Sequence, residues 1–329
     1  MSALVLILSA CLLGGSGKHS SPSAIPKSYM GCCGTSAGVA LDRGQFLVAD
    51  DEDNRIRLYD REVPGRAIKV WDFSHQLSFG GKDKEADIEG AARIGDTVYW
   101  IGSHGRNRSG DYRQTRHCLF ATTLSWGNKG VEVIFKGYPY RSLIEDLTKD
   151  KRFDFAGLRR ASELRPTLEG GLNIEALSGR PNGGLWIGFR NPVPKGLALL
   201  VPLLNPEEVV KGQPAVFDNP VSLDLEGHGF RDMVWDGKLY WILGGNKNSH
   251  GQTRLYSWRG GSDAPVRFSS SSLKSLNPEA LILPSKEREG WLTILSDDGS
   301  RSLLGKPCSE LPQSSRSFRG IDLRVSAPR

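Results

Sequence analysis

The chain has few cysteines, no long basic run, and only a short apolar stretch at its N-terminus. Its basic residues are scattered and its formal charge is only +6, a pattern that argues against nucleic-acid binding. The five cysteines do not include the second closely spaced Cys or His pair that a structural zinc site needs. With 329 residues and 38% hydrophobic content, the chain can bury a core, which argues against disorder and fits one large repeat domain as well as two small domains.

A short acidic triplet recurs along the chain, each time followed by Gly or Ala and then by an apolar run. The four copies are Asp87–Glu89, Asn173–Glu175, Asp224–Glu226 and Asn277–Glu279. The last three are about fifty residues apart, and an earlier unit aligns at the same interval with Ala37 in place of the glutamate. The longer interval between the first two copies indicates an insertion over residues 138–170. A repeat of this length is typical of propeller blades.

Each unit contains about four short apolar runs, the first two joined by a turn signal such as Asp236-Gly237. This is the pattern of a β-hairpin followed by two further strands. The sequence therefore predicts an all-β fold, a β-propeller with five four-stranded blades, in one domain over residues 30–329. A sixth blade is the alternative, and it would occupy 138–170, where Leu143–Leu147 has a helical pattern instead.

In a blade, the start of the first strand and the end of the second strand lie on the same face of the disc. We therefore expect the repeated glutamates to converge on one mouth of the central channel. Carboxylates that converge repel one another and suit a hard divalent cation, so we expect Ca²⁺ or another divalent metal. The predicted ligands are Glu89, Glu175, Glu226 and Glu279. The alternative is that these side chains satisfy strand-entry turns and face a water-filled channel.

Three other side chains are predicted on the same rim. His104 and Arg106 belong to a Gly-containing loop, and Arg190 follows the second strand of another unit. With Glu175 they form the predicted catalytic set, in which the arginines hold a small anionic ligand. We leave open whether the protein is a metal-assisted, phosphoesterase-like hydrolase or a non-catalytic propeller that binds a protein or cell-envelope partner. The G-x-S-x-G pattern at Gly34–Gly38 lacks the preceding strand and following helix of a serine esterase.

Residues 1–29 are predicted to be a leader and tether. Leu8–Cys11 has the form of a bacterial lipobox, which predicts lipid attachment at Cys11, and a Gly/Ser/Pro-rich stretch follows. We therefore expect an exported, periplasmic protein, with the outer membrane as the destination if Cys11 is lipidated. The remaining cysteines are either buried thiols or form a bridge from Cys32 or Cys33 to Cys308, because propellers bring their chain ends together.

Phrases within Gly171–Leu177, Leu185–Pro192 and Ile101–Asn107 resemble an uncharacterised bacterial family, domain of unknown function 3616. This resemblance covers nearly the whole chain after Tyr29 and implies no established activity. The Asn173–Leu177 phrase is also distantly similar to the strand openings of phytase-like, esterase-like propeller proteins. That similarity implies a propeller with calcium-assisted phosphoesterase or related hydrolase chemistry, but it transfers no catalytic residue.

Overall fold

The computed structural model describes residues 25–80, 84–246, 253–284 and 288–325. Their strands form five antiparallel sheets of four strands each, which are the blades of a β-propeller, and one short hairpin. The first strand is β1 (Lys27–Met30). Blade 1 contains β2 (Thr35–Ala40), β3 (Gln45–Asp50), β4 (Arg55–Asp60) and β5 (Lys69–Asp72). Blade 2 contains β6 (Ile88–Ile94), β7 (Thr97–Gly102), β8 (Leu119–Gly127) and β9 (Gly130–Tyr140).

The other three blades repeat this order from the channel outward. Blade 3 contains β10 (Asn173–Gly179), β11 (Leu185–Asn191), β12 (Ala198–Leu203) and β13 (Val221–Leu223). Blade 4 contains β14 (Gly229–Trp235), β15 (Tyr240–Gly245), β16 (Arg254–Trp258) and β17 (Val266–Phe268). Blade 5 contains β18 (Pro278–Ile282) and β19 (Trp291–Ser296), and the hairpin β20 (Ser302–Leu303) and β21 (Lys306–Pro307) separates these from β22 (Ser317–Arg324). Five blades, as predicted, account for the described sheets.

The described helices are short. The α-helices are α1 (Ser74–Leu77), α2 (Leu143–Lys149), α3 (Leu158–Ala161) and α4 (Pro206–Val209). The 3₁₀ turns are Asp42–Gly44, Gln114–Arg116, Lys151–Ala156, Pro194–Gly196, Ser271–Ser275, Cys308–Glu310 and Gln313–Ser315. Among these described helices, none has the length and apolar character needed to cross a bilayer.

Both chain ends close the ring in blade 5. Strand β1 pairs with β22 as the outermost strand, so the blade is built from the two ends of the described chain. A disulfide between Cys33 and Cys308 links the entry of blade 1 to the loop of blade 5, as one of the two sequence alternatives predicted. Cys32 and Cys118 are free and buried. The propeller thus includes Lys27–Tyr29, which the sequence analysis assigned to the leader, whereas Cys11 lies outside the described residues.

The core consists of apolar layers between neighbouring blades, because each strand alternates its side chains between the two faces of its sheet. The predicted insertion is helical, and the buried side chains of α2 and α3 join the layer between blades 2 and 3. Its C-terminal end reaches the channel mouth, where the amide of Asn191 donates to the carbonyls of Pro166 and Leu168. The insertion is therefore a wedge between two blades, and the innermost strands β6 and β10 still contact each other.

Candidate functional site

The innermost strand of every blade carries a β-bulge near its start, at the predicted channel mouth. In each blade the pairing with the second strand skips a residue, and the skipped residues are Ser36, Glu89, Glu175, Arg231 and Glu279. A bulge changes the direction in which a side chain points, and bulges are common beside active sites. The five bulge residues are thus the structurally equivalent positions of the repeat.

This register corrects the prediction for Glu226. Glu226 lies in the loop before β14 with a left-handed φ of 57°, is exposed, and pairs with Arg254 and Arg267. Arg231 occupies the bulge of blade 4, and Ser36, rather than Ala37, occupies that of blade 1. The structure therefore brings together three of the four predicted glutamates, together with one arginine. Glycine at position 229 lets the start of β14 lie close to the end of β11, since a Cβ there would lie 1.9 Å from the carbonyl oxygen of Arg190.

Arg231 neutralises the side of the mouth formed by blades 3 to 5. Its Nη1 lies 3.1 Å from Oε2 of Glu175, and its Nη2 donates to the carboxylate of Glu279. Oε1 of Glu175 also accepts hydrogen bonds from Arg190 Nη1 at 2.6 Å and from Asn173 Nδ2 at 2.7 Å. Glu175 is 4% exposed, so these contacts form a buried ion-pair network. A carboxylate with three donors has little capacity left to bind a metal.

The side formed by blades 1 and 2 has a different balance of charge. Asp51 follows β3, Asp87 precedes β6, and Glu89 is the bulge residue of that strand. One carboxylate oxygen from each of these three residues lies within 4.8 Å of the others. Asp87 pairs with Arg116 at 2.9 Å. Among the described residues, neither Asp51 nor Glu89 has a hydrogen-bond or ion-pair partner for its carboxylate.

The carboxyl groups of this cluster hold their protons more tightly than usual. Burial raises the pKa of Glu89 well above its ordinary value, and the negative charges of Glu175 and Asp87 raise it further. Burial and the charge of Asp50 likewise raise the pKa of Asp51 well above its ordinary value. Burial also raises the pKa of Asp87, although Arg116 opposes that effect. When all three carboxyl groups are ionised, the guanidinium of Arg116 leaves an excess of negative charge, which a hard divalent cation would balance as it displaces the protons.

The other predicted catalytic side chains have structural contacts. His104 is buried, its Nδ1 lies 2.9 Å from the carbonyl oxygen of Gly102, and its ring lies edge-on to that of His117. Burial and the neighbouring His117 lower the pKa of His104 to about 3, so the imidazole is neutral at pH 7. Arg106 donates to the carbonyls of Ser162 and Gly110, which ties its loop to the insertion. Neither side chain contacts the carboxylates, whereas Arg190 does.

Ser36, the serine of the G-x-S-x-G pattern, donates a hydrogen bond to the carbonyl of Ile88. It lies within β2, so the strand-to-helix turn of an esterase nucleophile is absent at this described position. Instead, Ser36 joins blades 1 and 2 at the mouth, and its role in the structure is that of a strand contact.

Comparison with protein families gives a match over most of the propeller. The model of the family described as "Protein of unknown function (DUF3616)" matches residues 35–124 and 134–291. The chain belongs to this family. The match begins at β2 and includes every bulge position of the channel mouth. The sequence matches no curated protein.

The fold is similar to that of a solved structure with a TM-score above 0.5. The major allergen Mala s 1 of Malassezia sympodialis has a TM-score of 0.52 at 8% identity, covering 91% of this chain and 96% of that one. An aldose sugar dehydrogenase from Streptomyces coelicolor has a TM-score of 0.48 at 14% identity, covering 93% and 100%. Glutaminyl cyclase from Myxococcus xanthus has a TM-score of 0.47 at 12% identity, covering 92% and 97%. At these identities the likeness concerns the fold alone.

Proposed function

We propose that this protein binds a divalent cation at the channel mouth through Asp51, Asp87 and Glu89, and binds a small anionic ligand through that cation. The observation that carries the proposal is the triplet of carboxylate oxygens within 4.8 Å of one another. Two of the three residues have no counter-charge among the described residues. Oxygen donors of this kind suit Ca²⁺ or Mg²⁺.

The cation rather than an arginine is the group that would hold the anion. Arg190 and Arg231 are already paired with Glu175 and Glu279, and Arg116 is paired with Glu85 and Asp87. A metal held by three protein oxygens keeps coordination positions for a phosphate or carboxylate oxygen. In a hydrolase, it would polarise that oxygen and lower the pKa of a bound water. The reaction class that we propose on this basis is that of a metal-dependent phosphoesterase.

The test is a metal titration of the purified protein in which binding and turnover are measured separately. We expect elemental analysis to find a divalent metal, and thermal unfolding to shift down with EDTA and back up with Ca²⁺. The variant Asp51→Asn/Glu89→Gln should lose the Ca²⁺ shift, whereas Glu226→Gln, which changes a carboxylate outside the mouth, should keep it. An equal Ca²⁺ shift in both variants would refute the site. Turnover of a generic phosphoester that requires the metal would support the hydrolase, and metal binding without turnover would favour the non-catalytic binding propeller.

We also propose that the protein functions outside the cytoplasm. The Cys33–Cys308 disulfide supports this, because such bonds persist in oxidising compartments. Mass spectrometry of protein isolated from its native cells, with alkylation before reduction, would show the disulfide and the modification state of Cys11. Recovery of Cys33 and Cys308 as alkylated thiols would contradict the proposed location.

A further inference from the structure

A cavity occupies the part of the central channel that lies beyond the carboxylate cluster. It has a volume of about 760 Å³ and is lined by the C-terminal ends of the innermost strands of all five blades. In each innermost strand the lining begins two residues after the bulge residue, so the cavity and the carboxylate cluster use different residues of the same strands. The two parts of the channel therefore offer two distinct environments.

The lining of this cavity is largely apolar. Backbone, aliphatic side chains and Trp235 form most of its wall, and Ile94 is partly exposed at its rim. Only three of the described lining side chains carry a charge, namely Asp42, Arg93 and Arg180. Arg93 is paired with Asp42 at 3.5 Å and with Asp96 at 3.8 Å. Arg93 is thus shared by two carboxylates, and Arg180 is the remaining charged side chain of the described lining.

Arg180 has no ion-pair partner among the described residues. Its guanidinium carbon lies 4.7 Å from the ring centroid of Trp186, which fixes the side chain by a cation–π contact. A guanidinium held in this way presents a fork of N–H donors that matches a carboxylate or a similar oxyanion. The rim thus has a positioned and uncompensated positive group.

A buried hydroxyl provides a second and independent observation. Ser178, on β10, is 3% exposed and lines the cavity. Its Oγ has no hydrogen-bond partner in the described structure. Buried polar groups are normally hydrogen-bonded, and an exception calls for a ligand or another partner. A ligand oxygen within the cavity would satisfy this hydroxyl once the Ser178 side chain rotates toward it, because the Oγ is closed to solvent in this structure.

We propose that this cavity is a second binding site, which takes an organic anion with an apolar body. The apolar body fills the end of the channel beside Trp235, the anionic group meets Arg180 at the rim, and the Ser178 hydroxyl bonds a ligand oxygen. The proposal is independent of the cation site, because the two sites use different residues of the strands.

Fluorescence titration of the full chain with 1-anilinonaphthalene-8-sulfonate, an aromatic sulfonate, tests this assignment. We expect saturable binding to one site that is unchanged by EDTA. Arg180→Gln should weaken binding by about tenfold or more, the usual size of a lost charge-assisted hydrogen bond. Arg160→Gln, which removes an exposed arginine of the insertion, is the matched control and should bind as the wild type does. Equal affinities for the two variants, or binding that does not saturate, would overturn the proposal.

A competition experiment on the wild-type protein avoids any effect of a substitution on folding. Octanoate has both an apolar body and a carboxylate, 1-octanol has only the body, and acetate has only the charge. We expect octanoate to displace the fluorophore at concentrations at which the other two do not. Displacement by 1-octanol as effective as that by octanoate would refute the role of Arg180, and equal displacement by acetate would refute the apolar site.

Discussion

The two sides of the channel mouth use the same carboxylate chemistry in opposite ways. On the side of blades 3 to 5, Glu175 and Glu279 share Arg231, and every charge in the network has a partner. On the side of blades 1 and 2, Asp51 and Glu89 have no such partner among the described residues. A charge that is even partly buried is costly unless it is paired, so the first side is complete within the protein, and the second side, with Asp51 and Glu89 half-buried, is where we propose a cation.

This difference results from one position of the repeat. The bulge residue is glutamate in blades 2, 3 and 5 and arginine in blade 4. With a glutamate in blade 4, the ring would carry four carboxylates around the channel. Arg231 instead neutralises the carboxylates of both neighbouring blades, and Glu89 with the two aspartates is the remaining cluster, at which we propose the cation.

The largest effect is expected from removal of the shared arginine. Arg231→Met leaves Glu175 and Glu279 buried without their common partner, and breaking a buried ion pair in this way costs about 3–5 kcal/mol. Chemical denaturation measures this loss as a lower unfolding free energy. Arg254→Met, which breaks the partly exposed pair with Glu226, is the matched control, and an equal loss in both variants would show that the network at the mouth does not hold the blades together.

The variant Arg231→Met should also differ from the wild type in how strongly a cation stabilises it. Without Arg231, the carboxylates of Glu175 and Glu279 become available beside Glu89, so the two sides of the mouth become alike. We therefore expect Ca²⁺ to stabilise Arg231→Met more than the wild type. A smaller Ca²⁺ shift in this variant than in the wild type would mean that the arginine supports the cation site rather than limits it.

The second largest effect is expected from removal of the two unpaired carboxyl groups, Asp51 and Glu89, on the side of blades 1 and 2. A cation present at a hundredfold excess over its dissociation constant stabilises the folded state by about 2.7 kcal/mol. Asp51→Asn/Glu89→Gln should remove this increment while lowering the repulsion in the metal-free protein. The variant is thus expected to be more stable than the wild type in EDTA and less stable in Ca²⁺. A variant that is less stable under both conditions would show that these side chains have a structural role instead.

A third prediction uses a buried carboxyl that follows Arg231 in the chain. Asp232 accepts hydrogen bonds from the backbone N–H groups of Leu281 and Met233, yet burial raises its pKa to about 8. Since the folded pKa lies above the ordinary value of 3.8, the folded state binds a proton that the unfolded state has lost between pH 4 and 8. Stability contributed by this group is therefore present at low pH and lost as pH rises through that window, by at most about 1.4 kcal/mol per pH unit.

The variant Asp232→Asn removes this titration. We expect its unfolding free energy to fall less steeply between pH 5 and 8 than that of the wild type, whatever its absolute stability. The slope is the informative quantity, because the amide also changes the hydrogen bond to one of the two N–H groups. Parallel pH profiles for the two proteins would contradict a raised pKa at Asp232.

The sequence was sufficient to predict the blades and the mouth, but not the balance of charge there. Hairpin turns and β-rich runs follow local rules, so the five blades were correctly predicted, and the structure has Glu89, Glu175 and Glu279 at equivalent bulge positions. The prediction for Glu226 was wrong because it aligned the triplet Asp224–Glu226 with the other acidic triplets instead of aligning the hairpin turns. In blades 1 to 4 the bulge residue lies five or six residues before the hairpin turn, and counting back five residues from Asp236 leads to Arg231. The pairing of Arg231 with two blades is a tertiary contact that no local pattern contains.

The smallest effect is expected from substitution of Glu226. This substitution tests whether the acidic triplet or the bulge position identifies the residues of the proposed cation site. If the triplet pattern identified metal ligands, Glu226→Gln would reduce the Ca²⁺ shift as strongly as Asp51→Asn/Glu89→Gln. The structure instead places this exposed carboxylate between Arg254 and Arg267, where such ion pairs contribute about 0–1 kcal/mol because water screens them. We therefore expect a small change in unfolding free energy that fades in high salt, with the Ca²⁺ shift intact. A lost Ca²⁺ shift would restore the triplet as the functional unit and would move the cation away from blades 1 and 2.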